Sequence, residues 1–302
     1  MKKTYLLRGL LYLSVIVAFY SCGDHLMPNV SPGSPTEHLR IKTLTQEIGD
    51  PTARGMLTQY ISTFGYDGQG RLNAITTTQN PSQDAPVEVS ALTYNDQNQV
   101  TQLKREITPS GQAKITETYS YTYVNSQMTR LYYTNDKDGR DDNVWNLTFT
   151  YNPDFKVKSS HKTFATGGAS YTEDSDYFFT GNNLTSVNTT VQQSPGPGGG
   201  TFTTTFTHDA KINPFYNVAV IPAPYATAGV STPFNGIVDF YTYYGGVDNV
   251  LHLSQNNVTS AATVAGGTIT YAYTYNGNLP ATRITTDPNR PQETLTYTYE
   301  SF

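Results

Sequence analysis

Tyr66-Asp67-Gly68-Gln69-Gly70-Arg71-Leu72 sets an aromatic residue, a polar turn and an aliphatic residue in strict succession. The same order recurs as Tyr94-Asn95-Asp96-Gln97-Asn98-Gln99-Val100 and as Tyr151-Asn152-Pro153-Asp154-Phe155-Lys156-Val157. Shortened copies are Tyr123-Val124-Asn125-Ser126-Gln127-Met128 and Phe179-Thr180-Gly181-Asn182-Asn183-Leu184, and His208-Asp209-Ala210-Lys211-Ile212 fits the same slot. The anchors Tyr66, Tyr94, Tyr123, Tyr151, Phe179 and His208 are spaced 28, 29, 28, 28 and 29. A period this regular marks a repeated supersecondary unit.

The flanks of each turn read as strands. Thr118 to Tyr123 (TYSYTY), Leu147 to Tyr151 (LTFTY) and Thr268 to Tyr275 (TITYAYTY) alternate large apolar rings or aliphatics with Thr and Ser. That period of two belongs to a strand with one wet and one dry face. Asn, Asp and Gly in the turns accept positive φ at low cost. Pro81, Pro109, Gly111 and the run SPGPGGG at 194–200 fall between units, where longer loops belong. The reading is all-β: one large, twisted antiparallel meander of repeated two-stranded units. With roughly 14 to 16 strands it should curl into an open barrel-like roll.

Composition agrees. The 302 residues include 46 Thr and 24 Tyr, while only 14% are charged and the net charge is −5. Thr and Tyr pack well on cross-strand neighbours, so a helical bundle, a coiled coil and a disordered acidic tail are excluded. A weakly acidic chain also lacks the basic face that nucleic acid requires.

The N-terminus carries an address. Lys2 and Lys3 precede an apolar stretch, and the run from Gly9 to Ser21 is 13 residues, short of the ~20 a spanning helix needs. It closes at Phe19-Tyr20-Ser21-Cys22, and Cys22 is the only cysteine, so no intrachain disulfide is possible. This end resembles the lipobox of bacterial lipoproteins, although Phe19 and Tyr20 stand where Leu and a small residue are usual. The resemblance implies a signal peptide over 1–21 and a lipidated Cys22. An uncleaved anchor and plain secretion are the other two readings. Gly23 after the cysteine implies the outer membrane over the inner, with the membrane face open. Residues 22–38, with Pro28, Pro32, Gly33 and Pro35, read as a tether, and 39–302 as one repeat domain.

The period breaks after His208. Residues 213–236 hold Pro214, Pro222, Pro224 and Pro233 among aromatics and read as an irregular insertion covering one edge or end of the sheet. The repeat resumes at Gln255-Asn256-Asn257-Val258-Thr259-Ser260, an echo of Gly181-Asn182-Asn183-Leu184-Thr185-Ser186. Tyr66 to Leu72 resembles the YD repeat of Rhs-type shell proteins. The whole layout resembles uncharacterised Bacteroidota envelope lipoproteins with degenerate YD-like repeats, in which an Asn-Pro-Phe element (Asn213 to Phe215), an Asn-Asn-aliphatic-Thr element (Asn256 to Thr259) and a Gly-x-x-Pro turn (Gly277 to Pro280) follow. The resemblance covers about residues 39–302 and implies architecture without an assigned reaction.

Chemistry-bearing constellations are sparse. His161, His208 and His252 each stand alone, with no second His or Cys at ligand spacing. Asp136, Asp138, Asp141 and Asp142 surround Gly139 and form a candidate Ca²⁺ loop, but the distal Glu of the calcium signature is absent and Lys137 and Arg140 intervene. There is no Gly-x-Ser-x-Gly and no phosphate loop. Glu117, Glu173 and Asp176 cannot be paired into an acid/base dyad from sequence. No catalytic residue and no cofactor is expected. A ladder that includes Tyr119, Tyr121, Tyr133, Tyr177, Tyr271 and Tyr297 would either hold the sheet together or stack on sugars. The expectation is a non-enzymatic, membrane-anchored envelope lipoprotein whose sheet is a scaffold or protein-interaction module. The alternative is a glycan-binding accessory lipoprotein using exposed tyrosines.

Overall fold

The computed structural model describes residues 33–34, 38–49, 58–80, 88–108, 114–137, 140–166, 169–216, 218, 249–263, 267–288 and 291–302. Strand β1 is Gly33–Ser34, and β2 to β5 are Leu39–Ile48, Thr58–Tyr66, Leu72–Asn80 and Glu88–Tyr94. Strands β6 to β9 are Val100–Ile107, Ile115–Val124, Gln127–Lys137 and Arg140–Tyr151. Strands β10 to β13 are Val157–Thr166, Ala169–Thr180, Asn183–Ser194 and Gly199–Ile212. A 3-10 turn at Asn249–Leu253 leads to β14 to β17, Asn256–Thr263, Gly267–Asn276, Leu279–Thr286 and Glu293–Ser301.

Each strand from β2 onward pairs antiparallel with the next, as the repeat reading predicts. The sheet goes one step beyond an open roll and closes. Strand β17 pairs with β2 through Leu295 opposite Gln46, Tyr297 opposite Leu44 and Ser301 opposite Leu39. Closure makes a 16-stranded barrel and leaves no unpaired edge. Strand β1 adds two residues against the start of β2.

The repeat motif builds one rim. In the β3–β4 turn the Asp67 amide donates to the Arg71 carbonyl and the Gly70 amide to the Asp67 carbonyl, both at 2.9 Å. Asp67 Oδ1 also accepts the amides of Gln69 and Arg71 at 2.9 and 3.0 Å, which is why Asp or Asn follows the anchor tyrosine. Asn95 repeats the arrangement in the β5–β6 turn. The fifth position of the motif sits at positive φ: 81° at Gly70, 59° at Asn98 and 64° at Phe155. Gly and Asn tolerate this conformation, whereas an ordinary side chain there costs roughly 1–2 kcal/mol.

At the anchors Tyr66, Tyr94, Tyr123, Phe179, His208, Tyr275 and Tyr299 the ladder register shifts. Such bulges sharpen local twist at barrel rims. The hydroxyls then tie each hairpin to the one before. Tyr66 Oη donates to Ile41 O at 2.6 Å, Tyr123 to Val100 O at 3.0 Å, Tyr151 to Met128 O at 2.6 Å and Tyr299 to Pro280 O at 2.8 Å. Tyr94 makes the same bond to Leu72 O. Gly33 and Phe302 lie at this rim too, because β2 starts and β17 ends there.

Alternation separates the two faces. On β7, Glu117, Tyr119 and Tyr121 point inward and are buried, while Thr116, Thr118, Ser120 and Thr122 point outward. A ring of Ile41, Leu72, Val100, Met128, Val157, Leu184 and Val258 lines the interior one step in from the turn rim, within a single apolar cluster. The described residues that flank the insertion after β13, Asn213 to Tyr216 and the 3-10 turn, pack at this end. Asn213 Nδ2 donates to Leu251 O and Ser254 O at 2.7 and 2.8 Å, and Phe215 enters the core to stack on His252 with ring centres 5.1 Å apart. Strand β1 is drawn in by the Gly33 amide donating to Pro214 O at 2.7 Å. The echoing motifs Asn182-Asn183 and Gln255-Asn256 lie side by side, with Asn183 and Asn256 exchanging two hydrogen bonds at 2.9 Å.

Candidate functional site

The interior changes character towards the opposite rim, where the connections are longer. Arg105 on β6 stands opposite Glu117 on β7, with its Nη1 3.0 Å from the Glu117 carboxylate and its Nη2 2.6 Å from that of Glu88. Glu117 is 0% exposed and also accepts hydrogen bonds from Tyr119 and Tyr133, each at 3.1 Å. Lys162 pairs with Glu173 at 3.1 Å, and its ammonium lies 4.5 Å from the Phe164 ring centre and 5.2 Å from that of Trp145. Burial pushes the Lys162 ammonium below its ordinary range, with Glu173 pulling the other way. Arg283, buried on β16, pairs with Glu293 at 2.8 Å, and Glu293 also accepts from Gln46 at 2.6 Å. These charges are paired across strands, so each carboxylate is already satisfied by a cation or hydroxyl.

An aromatic belt joins two of the pairs. Tyr119, Tyr133, Trp145, Phe164 and Tyr171 occupy successive strands, with neighbouring ring centres 4.9, 4.5, 6.3 and 4.9 Å apart. Trp145 therefore packs in the wall, and the belt tyrosines face inward, whereas Tyr132 on β8 faces outward beneath Arg130. Among the described residues no tyrosine is exposed. Tyr241, Tyr243 and Tyr244 lie outside them.

The nearest approach to a nucleophile and base is at the closed end. His208 Nε2 shares a hydrogen bond of 2.9 Å with Ser254 Oγ, which accepts the Leu184 amide at 3.1 Å. Ser254 is 1% exposed, so this pair fastens the insertion to the wall rather than meeting a substrate. Burial holds His208 below the usual histidine range and keeps the ring neutral. Asp209 accepts from the Tyr275 hydroxyl, which burial and that carboxylate together keep protonated. His252 is fully buried against Phe215, and burial with the nearby Arg283 charge lowers it to about 3. His161 lies on the outer face, 2.7 Å from Asp174. His38 closes the seam, its carbonyl accepting the Phe302 amide at 3.1 Å.

Among the described residues no three His, Cys, Asp or Glu side chains gather where they could hold a metal ion. The candidate Ca²⁺ loop is a β8–β9 hairpin in which Asp136 stands opposite Asp141. Asp138 and the side chains of Asp136, Asp141 and Asp142 lie outside the description, as do Cys22, the signal segment, and most of the 213–236 insertion. Glu117 and Glu173 do come to the interior wall, but on different ion pairs, and Asp176 faces outward.

Two residues that sequence reading passed over stand out at the turn rim. Phe155 holds positive φ and is 55% exposed, and Val124, the last residue of β7 in the neighbouring hairpin, is also 55% exposed. The signal for Phe155 was present in the alignment of the repeats, since it occupies the slot of Gly70 and Asn98.

The arrangement defines a closed β-barrel of porin-like fold. A porin-like protein from Bacteroides uniformis ATCC 8492 superposes with a TM-score of 0.50 at 16% identity, covering 89% of this chain and 99% of that one. A porin-like protein from Bacteroides vulgatus ATCC 8482 gives a TM-score of 0.46 at 10% identity, covering 87% and 99%. No protein-family model and no curated protein matches the chain. The likeness is one of fold. Polarity here runs opposite to that of a lipid-embedded barrel, whose outer band is apolar and whose interior is polar. The outer wall of this chain carries threonines with Lys104, Glu106, Asp174 and Asp176, while the inner wall carries the apolar cluster.

Proposed function

We propose that the chain is a non-enzymatic envelope lipoprotein, held on the outer membrane through Cys22, whose barrel stands in water as a scaffold for another envelope protein. The observation that carries this reading is the polarity of the wall: a threonine-rich, charged outer face closed around an apolar core. Placing Lys104 or Asp174 against acyl chains would be unfavourable, so an anchored barrel suits the surface better than a spanning one. The N-terminal apolar stretch supplies the attachment, and several acyl chains hold a protein on a bilayer far more firmly than one. The non-enzymatic reading is supported by the paired state of the interior carboxylates and the seclusion of the His208–Ser254 pair.

Globomycin treatment of cells expressing the full chain tests the anchor. Unprocessed precursor should accumulate, and a Cys22→Ser variant should remain unprocessed without the drug. Normal processing of that variant overturns lipidation. The alternative, sugar capture by a tyrosine row, draws less support from the described residues, where most of the rings turn inward and Tyr132 faces outward.

A further inference from the structure

We infer that the turn rim of the barrel is a membrane-contact surface, with Phe155 as its principal lipid-inserted side chain and Val124 and Phe178 beside it. This rests on the anchored reading above and adds an orientation and a contact to it.

Three observations meet at one place. The first is chain geometry. Both Gly33 and Phe302 are at the turn rim, where β1 pairs antiparallel with the start of β2. Only ten residues, 23–32, separate Cys22 from Gly33, and an extended chain spans at most ~3.3–3.6 Å per residue. An anchored barrel therefore holds Gly33, at this rim, within about 36 Å of the bilayer surface.

The second is exposed apolar surface. Val124, Phe155 and Phe178 are 55%, 55% and 48% exposed and belong to three consecutive hairpins, β7–β8, β9–β10 and β11–β12. Phe155 sits in its turn, Val124 is the last residue of β7, and Phe178 is two residues before the end of β11. They are the exposed large apolar side chains of this part of the rim among the described residues, set among polar neighbours such as the Lys156–Asp154 ion pair.

The third is backbone conformation. Phe155 occupies the positive-φ slot that Gly70 and Asn98 fill elsewhere. The turn hydrogen bonds are the same in all three copies, with the Phe155 amide donating to Asn152 O at 3.0 Å, so the turn does not require a ring. Nor does the core use it. A bulky side chain held in an unfavourable conformation and aimed at solvent points to a contact outside the molecule. A phenylalanine at a loop tip suits the boundary between headgroups and acyl chains, which apolar side chains enter by ~5–10 Å.

The test uses the full processed chain reconstituted in phosphatidylethanolamine–phosphatidylglycerol vesicles whose acyl chains carry bromine as a quencher. Phe155→Trp and Val124→Trp are compared with wild type, whose Trp145 is buried in the wall, and with Thr286→Trp at the opposite rim. Far-UV circular dichroism confirms that each variant keeps the barrel. The added emission at positions 155 and 124 should shift to the blue and be quenched by the bromolipid, while that at 286 should keep a water-exposed spectrum. Protein that floats with the vesicles but shows unquenched, water-like emission at 155 overturns the rim contact and leaves the anchor standing. Protein that does not float with the vesicles overturns the anchor and the contact together.

Discussion

The Tyr123 hydroxyl donates to the Val100 carbonyl at 3.0 Å, joining the end of β7 to the start of β6, the strand before it in the sheet. Equivalent bonds from Tyr66, Tyr94, Tyr151 and Tyr299 turn a sequence repeat into a ring of ties along one rim. The aromatic anchor is thus a hydrogen-bond donor as well as a ring, and Phe179 is the repeat position that has only the ring.

Removing these hydroxyls singly should have small, additive effects. Tyr123→Phe and Tyr151→Phe should each lower unfolding free energy by about 1 kcal/mol, the net value of one such bond. Tyr66→Phe should do the same, and because Tyr66 and Tyr151 lie in separate hairpins, their double variant should show the sum. Urea denaturation of the processed chain measures this.

Relieving the strained turn should stabilise the barrel in solution. Phe155→Gly or Phe155→Asn places a tolerant residue at φ 64° and should raise stability by about 1 kcal/mol. Denaturant midpoints in detergent-free buffer would show it. An unchanged or lowered midpoint would mean the ring is packed in a way its exposure does not reveal.

The Arg105 cluster should be the most sensitive point of the interior. Arg105→Met leaves Glu117, which is fully buried, and Glu88 without their cation, at a cost of roughly 3–5 kcal/mol. Adding Glu117→Gln and Glu88→Gln should recover much of that loss. Unfolding curves of the single and triple variants decide the matter.

Acid should weaken the closed end through His252. The folded ring takes a proton only near pH 3, whereas the unfolded chain takes one near 6.5. Between those values the unfolded state binds more protons, so stability falls as pH falls, by about 1.4 kcal/mol per unit and about 2 kcal/mol from pH 6.5 to 5. His252→Phe keeps a ring to stack on Phe215 and should lose this part of the slope. The difference between the two proteins' unfolding free energies at pH 7 and pH 5 is the readout.

Much of this was legible in advance because it is local. The turn positions follow from Asp67, Asn95 and Asn152, whose side chains or backbones close the turns within five residues. The face assignments on β7 follow from strict alternation. The placement of Glu117 and Arg105 was harder, since a charged residue in a strand ordinarily marks the wet face and only the cross-strand partner makes an inward position tolerable. His252 stood alone in the sequence, and its neighbours Phe215 and Arg283 come from elements 37 and 31 residues away.

The amino-acid sequence by itself determined the repeat, the hairpin turns and the inner and outer faces of each strand, because those depend on dihedral preferences and side-chain alternation within a few residues. Only the tertiary structure decided that β17 meets β2, that Asn213 and Phe215 pack against the 3-10 turn at the rim, and that Phe155, Gly33 and Phe302 share that rim. The partner of β2 lies about 250 residues away in sequence, and pairing with it depends on the twist accumulated over the whole sheet, which no short stretch of chain contains.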